Sequence, residues 1–188
     1  MAEAESVYVP AKSVQSIRTL GLGIAGFILV LDQAVKWIVT YILQLQQRKE
    51  IELLPIFQLR WTENSGVSMG FLTAGSETER WLLVGLTVAI SIFVLVWLWR
   101  EKRRDDAVAL GLVLGGALGN LMDRIFRAPG PLQGHVVDMV SPFAPNGAAF
   151  AVFNLADSAI TCGGVLLVVL ALLGHELDGS HHKKATDG

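Results

Sequence analysis

Apolar residues run almost unbroken through four stretches of the chain, at about 18–45, 80–99, 105–125 and 154–174. Each is long enough as a helix to cross about 30 Å of hydrocarbon, so the pattern predicts four membrane crossings. The first, from residue 20 to 45, would reach about 39 Å at 1.5 Å per residue. That exceeds a signal-peptide core of about 7–15 residues, and no convincing cleavage site follows it, so it is expected to remain as an anchor. The period then changes. At 51–61 the odd positions Ile51, Leu53, Phe57, Leu59 and Trp61 are apolar while Glu52, Gln58 and Arg60 interrupt the even ones. A period of two predicts a strand or short hairpin on the outer surface, with Asn64-Ser65-Gly66 supplying its turn. The segment 126–153 carries Pro129, Pro131, Pro142 and Pro145 with Gly130, Gly134 and Gly147, which predicts a loop with one short helix. Beyond Leu177 the chain is polar, and no regular structure is expected there.

Composition narrows the class. With 188 residues, 52% of them hydrophobic, and a mean hydropathy of +0.50, the chain is too apolar for an ordinary soluble domain. It reads as one integral membrane domain at 18–176, between a polar extension at 1–17 and a polar tail at 177–188. A formal charge of −2 gives no footprint for nucleic acid, and no partner of that kind is expected. The single cysteine, Cys162, excludes an intrachain disulfide and a thiolate metal cage, and it reads as a small buried hydrophobe. Arg100-Glu101-Lys102-Arg103-Arg104, between the second and third spans, is a short basic turn of the kind retained in the cytoplasm. Lys12, Arg18, Lys183 and Lys184 then share that side, so both termini are expected in the cytoplasm. The segments 46–79 and 126–153 face outward.

Candidate chemistry lies in the polar residues that break the apolar pattern. Asp32 and Lys36 are four apart on the first span, on one helix face, where each neutralises the other; the pair reads equally as structural or as part of a site. On the third span Ala107, Gly111, Gly115, Gly119 and Asp123 recur every fourth residue, beside a second row of Gly116, Asn120 and Arg124. Small residues at this spacing let helices approach closely in lipid. Packing does not account for Asn120, Asp123 and Arg124 at the outward end, where Arg124 is either an interfacial anchor or part of an orienting network. Asn154 and Asp157 open the fourth span on one face, and Asp157 alone could be a helix-dipole acid. Asp138, in Val136-Val137-Asp138, is the other isolated carboxylate. Two carboxylates that share a proton can divide the work of general base and general acid. His135 lacks partner ligands or an orienter and reads as a surface residue.

Taken together, Asp32-Gln33-x-x-Lys36, Asn64-x-Gly66-x-Ser68, Gly115-Gly116-x-x-Gly119-Asn120-x-x-Asp123-Arg124, Val136-Val137-Asp138 and Phe153-Asn154-x-Ala156-Asp157 resemble the lipoprotein signal peptidases, or signal peptidase II. The resemblance runs in order from about residue 20 to 175. It implies an all-α integral membrane protein with four transmembrane helices, a small extracytoplasmic β-cradle near 50–71 and a mobile periplasmic loop or helix near 126–150. It implies an aspartic endopeptidase of the bacterial cytoplasmic (inner) membrane that removes the signal peptide from diacylglyceryl-modified prolipoproteins, cutting just before the lipidated cysteine. Asp138 and Asp157 would be its catalytic pair. Asn120, Arg124 and Asn154 would support the pair or engage substrate, and Asp32, Lys36, Asn64, Gly116, Asp123 and Ala156 would be further supporting positions. No metal or other cofactor is implied. The expected partners are the lipidated substrate and membrane lipids, with the chain as a monomer. The stretch 127–133, with its Pro-Gly-Pro, is longer than the family's minimal spacing, which leaves the shape of the outer lid open. A transporter using Asp32, Lys36, Asp123 and Asp157 as an ion path is the rival from another class; it requires polar residues strung from side to side.

Overall fold

The computed structural model describes residues 11–64, 66, 77–127, 134–142 and 152–186, with backbone alone at 11–13 and 174–186. Helix α1 (Ala11–Trp37) passes into a π-helical turn (Ile38–Ile42), followed by the one-turn helix α2 (Leu45–Arg48). Gln44 (φ 50°) and Lys49 (φ 69°) take left-handed-side backbone and swing the chain off the α1 axis into strands β1 (Glu50–Leu54) and β2 (Phe57–Asn64). Helices α3 (Glu77–Arg100) and α4 (Arg104–Phe126), strand β3 (Val136–Pro142) and helix α5 (Leu155–Thr186) complete the order. The four long helices are each long and apolar enough to span a membrane, within Val14–Ile42, Glu77–Arg100, Arg104–Phe126 and Leu155–Leu173. These match the expected spans. The tail is a correction: the backbone stays helical to Thr186. No proline interrupts 155–186, and extending an existing helix adds a hydrogen bond for each residue fixed.

Helix α4 is the axis of the bundle. Of its most apolar stretch 61% is buried inside the protein, against 28% or less for the other three. The small-residue rows explain why. A Cβ on Gly111 would lie 2.5 Å from Gly21 O, and one on Gly115 2.6 Å from Ala25 O, both on α1. On the adjoining face a Cβ at Gly116 would run into Ala156 O on α5. Backbone therefore meets backbone on two sides of α4, which side chains would forbid. The inward half of the bundle closes over Ile17, Ala25, Val94, Leu98, Ala107, Leu110 and Leu114. Phe27, Val30, Leu82, Phe93, Val165 and Leu172 stay exposed, as lipid-facing residues must when the solvent is hydrocarbon. Cys162 is exposed too, correcting the expectation of burial: most of α5 faces outward, and residue 162 lies on that side. At the inward end the Arg18 Nε donates to Trp99 O at 2.7 Å. This puts Arg18 beside the 100–104 turn, as the charge pattern required.

At the outward end β1, β2 and β3 form an antiparallel sheet in that order. The hairpin closes at Pro55-Ile56. Asn64 instead ends β2, its Oδ1 accepting the Gly66 N–H at 3.0 Å, so the segment expected to supply the turn does not make the hairpin. Strand β3 is the larger correction, because a loop with a helix was expected there. Val136, Val137 and Val140 are strand formers, and Pro142, one of the prolines that suggested a loop, ends β3, an edge strand of the sheet, where a missing N–H is tolerated. Val39, Leu45, Trp61, Val137 and Met139 pack together and fasten the sheet to the end of α1. Beyond β3, Phe153 forms a bridge with Val140, so the chain enters α5 from a point fixed on the strand. Of the expected lid near 126–150, residues 128–133 and 143–150 lie outside the described residues, as does Ser68.

Candidate active site

Two backbone devices bring the isolated carboxylates together. Asp138 sits on β3 opposite Thr62 of β2, and the Val140–Phe153 bridge, closed by Phe153 N–H to Val140 O at 3.0 Å, delivers Asn154 to the same place. Asn154 caps α5. Its Oδ1 accepts the Asp157 N–H at 2.9 Å while Asp157 Oδ2 accepts the Asn154 N–H at 3.3 Å. This reciprocal pair is a capping box with an acid at its third helical position, and it leaves Asp157 Oδ1 to a partner outside the cap. The free Nδ2 of Asn154 donates to Asp138 Oδ1 at 2.6 Å, and the two aspartates are thereby tied through one asparagine.

Every carboxylate oxygen of the pair accepts an N–H. Asn64 Nδ2 donates to Asp138 Oδ2 at 2.9 Å, and Asn120 Nδ2 donates to Asp157 Oδ1 at 2.8 Å. Asn120 Oδ1 in turn accepts from Asn154 Nδ2 at 3.1 Å and from Lys36 Nζ at 3.3 Å. Asp138 is only 2% exposed, and its carboxyl is pushed up from 3.8 to about 6, first by burial and then by the charge of Asp157, against the lowering effect of Asn64, Asn154 and Lys36. Desolvation and a like charge both disfavour the ionised form.

Beneath the pair, Lys36 Nζ is 2.8 Å from both Asp32 Oδ2 and Asp123 Oδ2, and all three side chains are fully buried. The expected i,i+4 pair is real, and Asp123 makes it a triad. Two members went unrecognised. Gln33 Nε2 donates to Asp32, Asp123 and Gly119 O, and Arg127 Nε donates to Asp123 Oδ1 at 2.9 Å. Gln33 stood next to Asp32 in the quoted motif, and Arg127 is one turn beyond Asp123, so spacing alone could have signalled both. Gly119 makes room for the triad, since a Cβ there would lie 2.6 Å from Asp32 Oδ2. Arg124 is no membrane anchor: its Nη2 donates to Gly66 O at 3.0 Å, linking α4 to the segment after β2. Gly116 and Ala156 are the contact of α4 with α5, directly under Asn120 and Asp157. His135 Nδ1 lies 3.6 Å from Glu63 Oε2, outside this network. Among the described residues no group of three His, Cys, Asp or Glu is placed to hold a metal ion.

A cavity of about 330 Å³ opens beside the pair. Asn64, Asn120, Arg124 and Asp157 form its polar end; Leu83, Leu86, Ile90, Val113, Ala117 and Ile160 of α3, α4 and α5 form its apolar walls. Such a site can hold a polar backbone at one end and an aliphatic chain along the other.

Residues 24–173 match the family model described as Signal peptidase (SPase) II. The lipoprotein signal peptidase of Rhizorhabdus wittichii is 47% identical over 176 residues, 94% of each chain. That of Sphingopyxis alaskensis is 41% identical over 164 residues, 87% of this chain and 91% of its own. A solved structure described as a bacterial membrane enzyme superposes with a TM-score of 0.66 at 26% identity, covering 81% of this chain and 87% of that one. With the family model spanning the bundle, the cradle and both aspartates, the chain belongs to the signal peptidase II family.

Proposed function

We propose that Asp138 and Asp157 are the paired carboxylates with which this aspartic endopeptidase of the bacterial cytoplasmic membrane removes the signal peptide from diacylglyceryl-modified prolipoproteins. The decisive observation is that these two acids, 19 positions apart in sequence, converge on one asparagine, with Asp157 lining a largely apolar cavity. Burial and the charge of Asp157 raise Asp138 to about 6, so below about that pH Asp138 keeps a proton beside its neighbour, because two adjacent carboxylates do not both ionise cheaply. The ionised member takes a proton from water as the water attacks the scissile carbonyl. The protonated member polarises that carbonyl and then protonates the leaving amine.

Asn64, Asn120 and Asn154 hold the carboxylates in orientation by donating to them. Arg124 holds the segment after β2 through Gly66 O and lines the cavity, where its remaining N–H groups face a substrate backbone. Gly116 and Ala156 set the α4–α5 approach. The Leu83–Ile90 side of the cavity offers apolar surroundings that match the acyl chains of a diacylglyceryl group, which therefore need not enter water to be bound. The ion-path alternative finds no support in the inward half of the bundle, which packs apolar residues.

Cleavage of a purified diacylglyceryl-prolipoprotein in detergent tests the assignment. Wild type cleaves just before the lipidated cysteine; Asp138→Asn and Asp157→Asn, each shown to be folded, lose at least about 10³-fold in kcat. Near-wild-type turnover by either variant would remove that residue from the chemistry.

A further inference from the structure

The buried charges on α1 and α4 reach the backbone on the N-terminal side of both Asp138 and Asp157. Asp32 Oδ1 accepts the N–H of Ala156, the residue before Asp157, at 3.1 Å. Asp123 Oδ2 accepts the N–H of Val137, the residue before Asp138, at 3.3 Å. Lys36 Nζ stands 2.8 Å from each of these carboxylates. A single unbroken line of bonds thus runs from one acid-bearing segment to the other: Ala156 N–H, Asp32, Lys36, Asp123, Val137 N–H. It crosses from α5 through α1 and α4 to β3.

A second arm of the same ammonium reaches the acids' hydrogen-bonding shell. Lys36 Nζ donates to Asn120 Oδ1 at 3.3 Å. A lysine offers donors only, so it compels the oxygen of that amide to face inward and turns Nδ2 toward Asp157 Oδ1. We infer that Lys36, clasped by Asp32 and Asp123, is a positioning residue that fixes the separation of Asp138 and Asp157 and the orientation of the Asn120 amide between them. This rests on those two aspartates being the reacting acids. It gives a reason for three fully buried charges beyond holding the helices together. Apolar residues of similar volume often replace a buried ion pair without loss of stability, but here they would leave the Ala156 and Val137 amides without these acceptors.

The test is a kinetic split on the full-length enzyme in detergent, with a synthetic diacylglyceryl-prolipoprotein peptide as substrate and thermal unfolding measured on each variant. In Lys36→Met, kcat per folded molecule is expected to fall about 100-fold, the scale of a misplacement of about 1 Å in reacting groups, with KM within about threefold of wild type. Lys36→Arg, which keeps a cation between the carboxylates, is expected to recover about tenfold of that loss. A lowered melting temperature with kcat per folded molecule unchanged would overturn the inference, because Lys36 would then be structural only; so would a loss confined to KM. If Lys36→Met does not fold, Asp32→Asn and Asp123→Asn, which each leave Lys36 one carboxylate, are judged by the same two constants. Asp138→Asn and Asp157→Asn run alongside. If they are inactive while folded Lys36→Met turns over normally, the positioning role alone fails. If they remain active, the assignment of the acids fails first.

Discussion

Asp138 illustrates what burial does to one residue. Held at 2% exposure beside a second carboxylate, it titrates near 6 in the folded chain, against 3.8 for the free side chain. The folded state therefore keeps a proton that the unfolded state has already lost, so this residue makes stability fall as pH rises from about 4 to about 6 and level off above. At 1.36 kcal/mol per unit the loss is roughly 3 kcal/mol. Thermal unfolding in detergent across pH 4 to 7 should show that decline in wild type, and its absence in Asp138→Asn. Asn120 matters in another way: its amide receives from Lys36 and Asn154 and donates to Asp157. Asn120→Ala is expected to cost roughly 1–3 kcal/mol through unsatisfied buried groups and to lower kcat by more than about tenfold, measured on the folded fraction. At this scale the sequence was partly legible. Carboxylates in an apolar chain announce themselves, whereas the bond that Arg124 makes to Gly66 O depends on where a distant turn comes to lie.

Among the elements, α4 is the one whose sequence most directly dictates its packing. Gly116→Leu would drive a side chain into Ala156 O and Ile160; overpacking of this kind costs roughly 1–3 kcal/mol and would push α5, with Asp157, away from Asn120. Both the melting temperature and kcat should drop. Gly26 on α1 meets nothing within 4 Å, so Gly26→Ala should leave activity intact and stabilise the helix by about 0.5–1 kcal/mol; equal damage from both substitutions would refute the packing account. The α5 start was readable as well, since an asparagine followed three residues later by an acid is a capping-box spacing. Strand β3 was not. Its apolar residues are interrupted by Asp138 and surrounded by prolines, and only the partner strand β2 and the bridge to Phe153 make it a strand.

The whole molecule separates an apolar half from a polar one. Buried polar residues gather with the sheet at the outward end, while the 100–104 turn and Arg18 mark the other. In a Cys162→Ser background, a membrane-impermeant maleimide applied to spheroplasts should label Ile56→Cys on the hairpin and leave Lys102→Cys untouched until the membrane is opened. Label at both positions, or at Lys102→Cys alone, would reverse or break the topology. The cavity's apolar walls also imply that an unlipidated precursor is cleaved far less well, with the deficit mainly in KM; equal kcat/KM with and without the lipid would show that these walls do not read it.

Four spans, their orientation, the glycine face and the two acids were determined by the sequence itself, because they follow from local properties: segment length against bilayer thickness, the placing of charge, and spacing along a helix. Tertiary structure decided the third strand, the convergence of Asp138 and Asp157 on Asn154, and the joining of Asp32, Lys36 and Asp123 into one buried triad. Each of these is a contact between residues far apart in the chain. It exists only once α4 has drawn α1 and α5 against its glycines and β2 has supplied β3 with an edge.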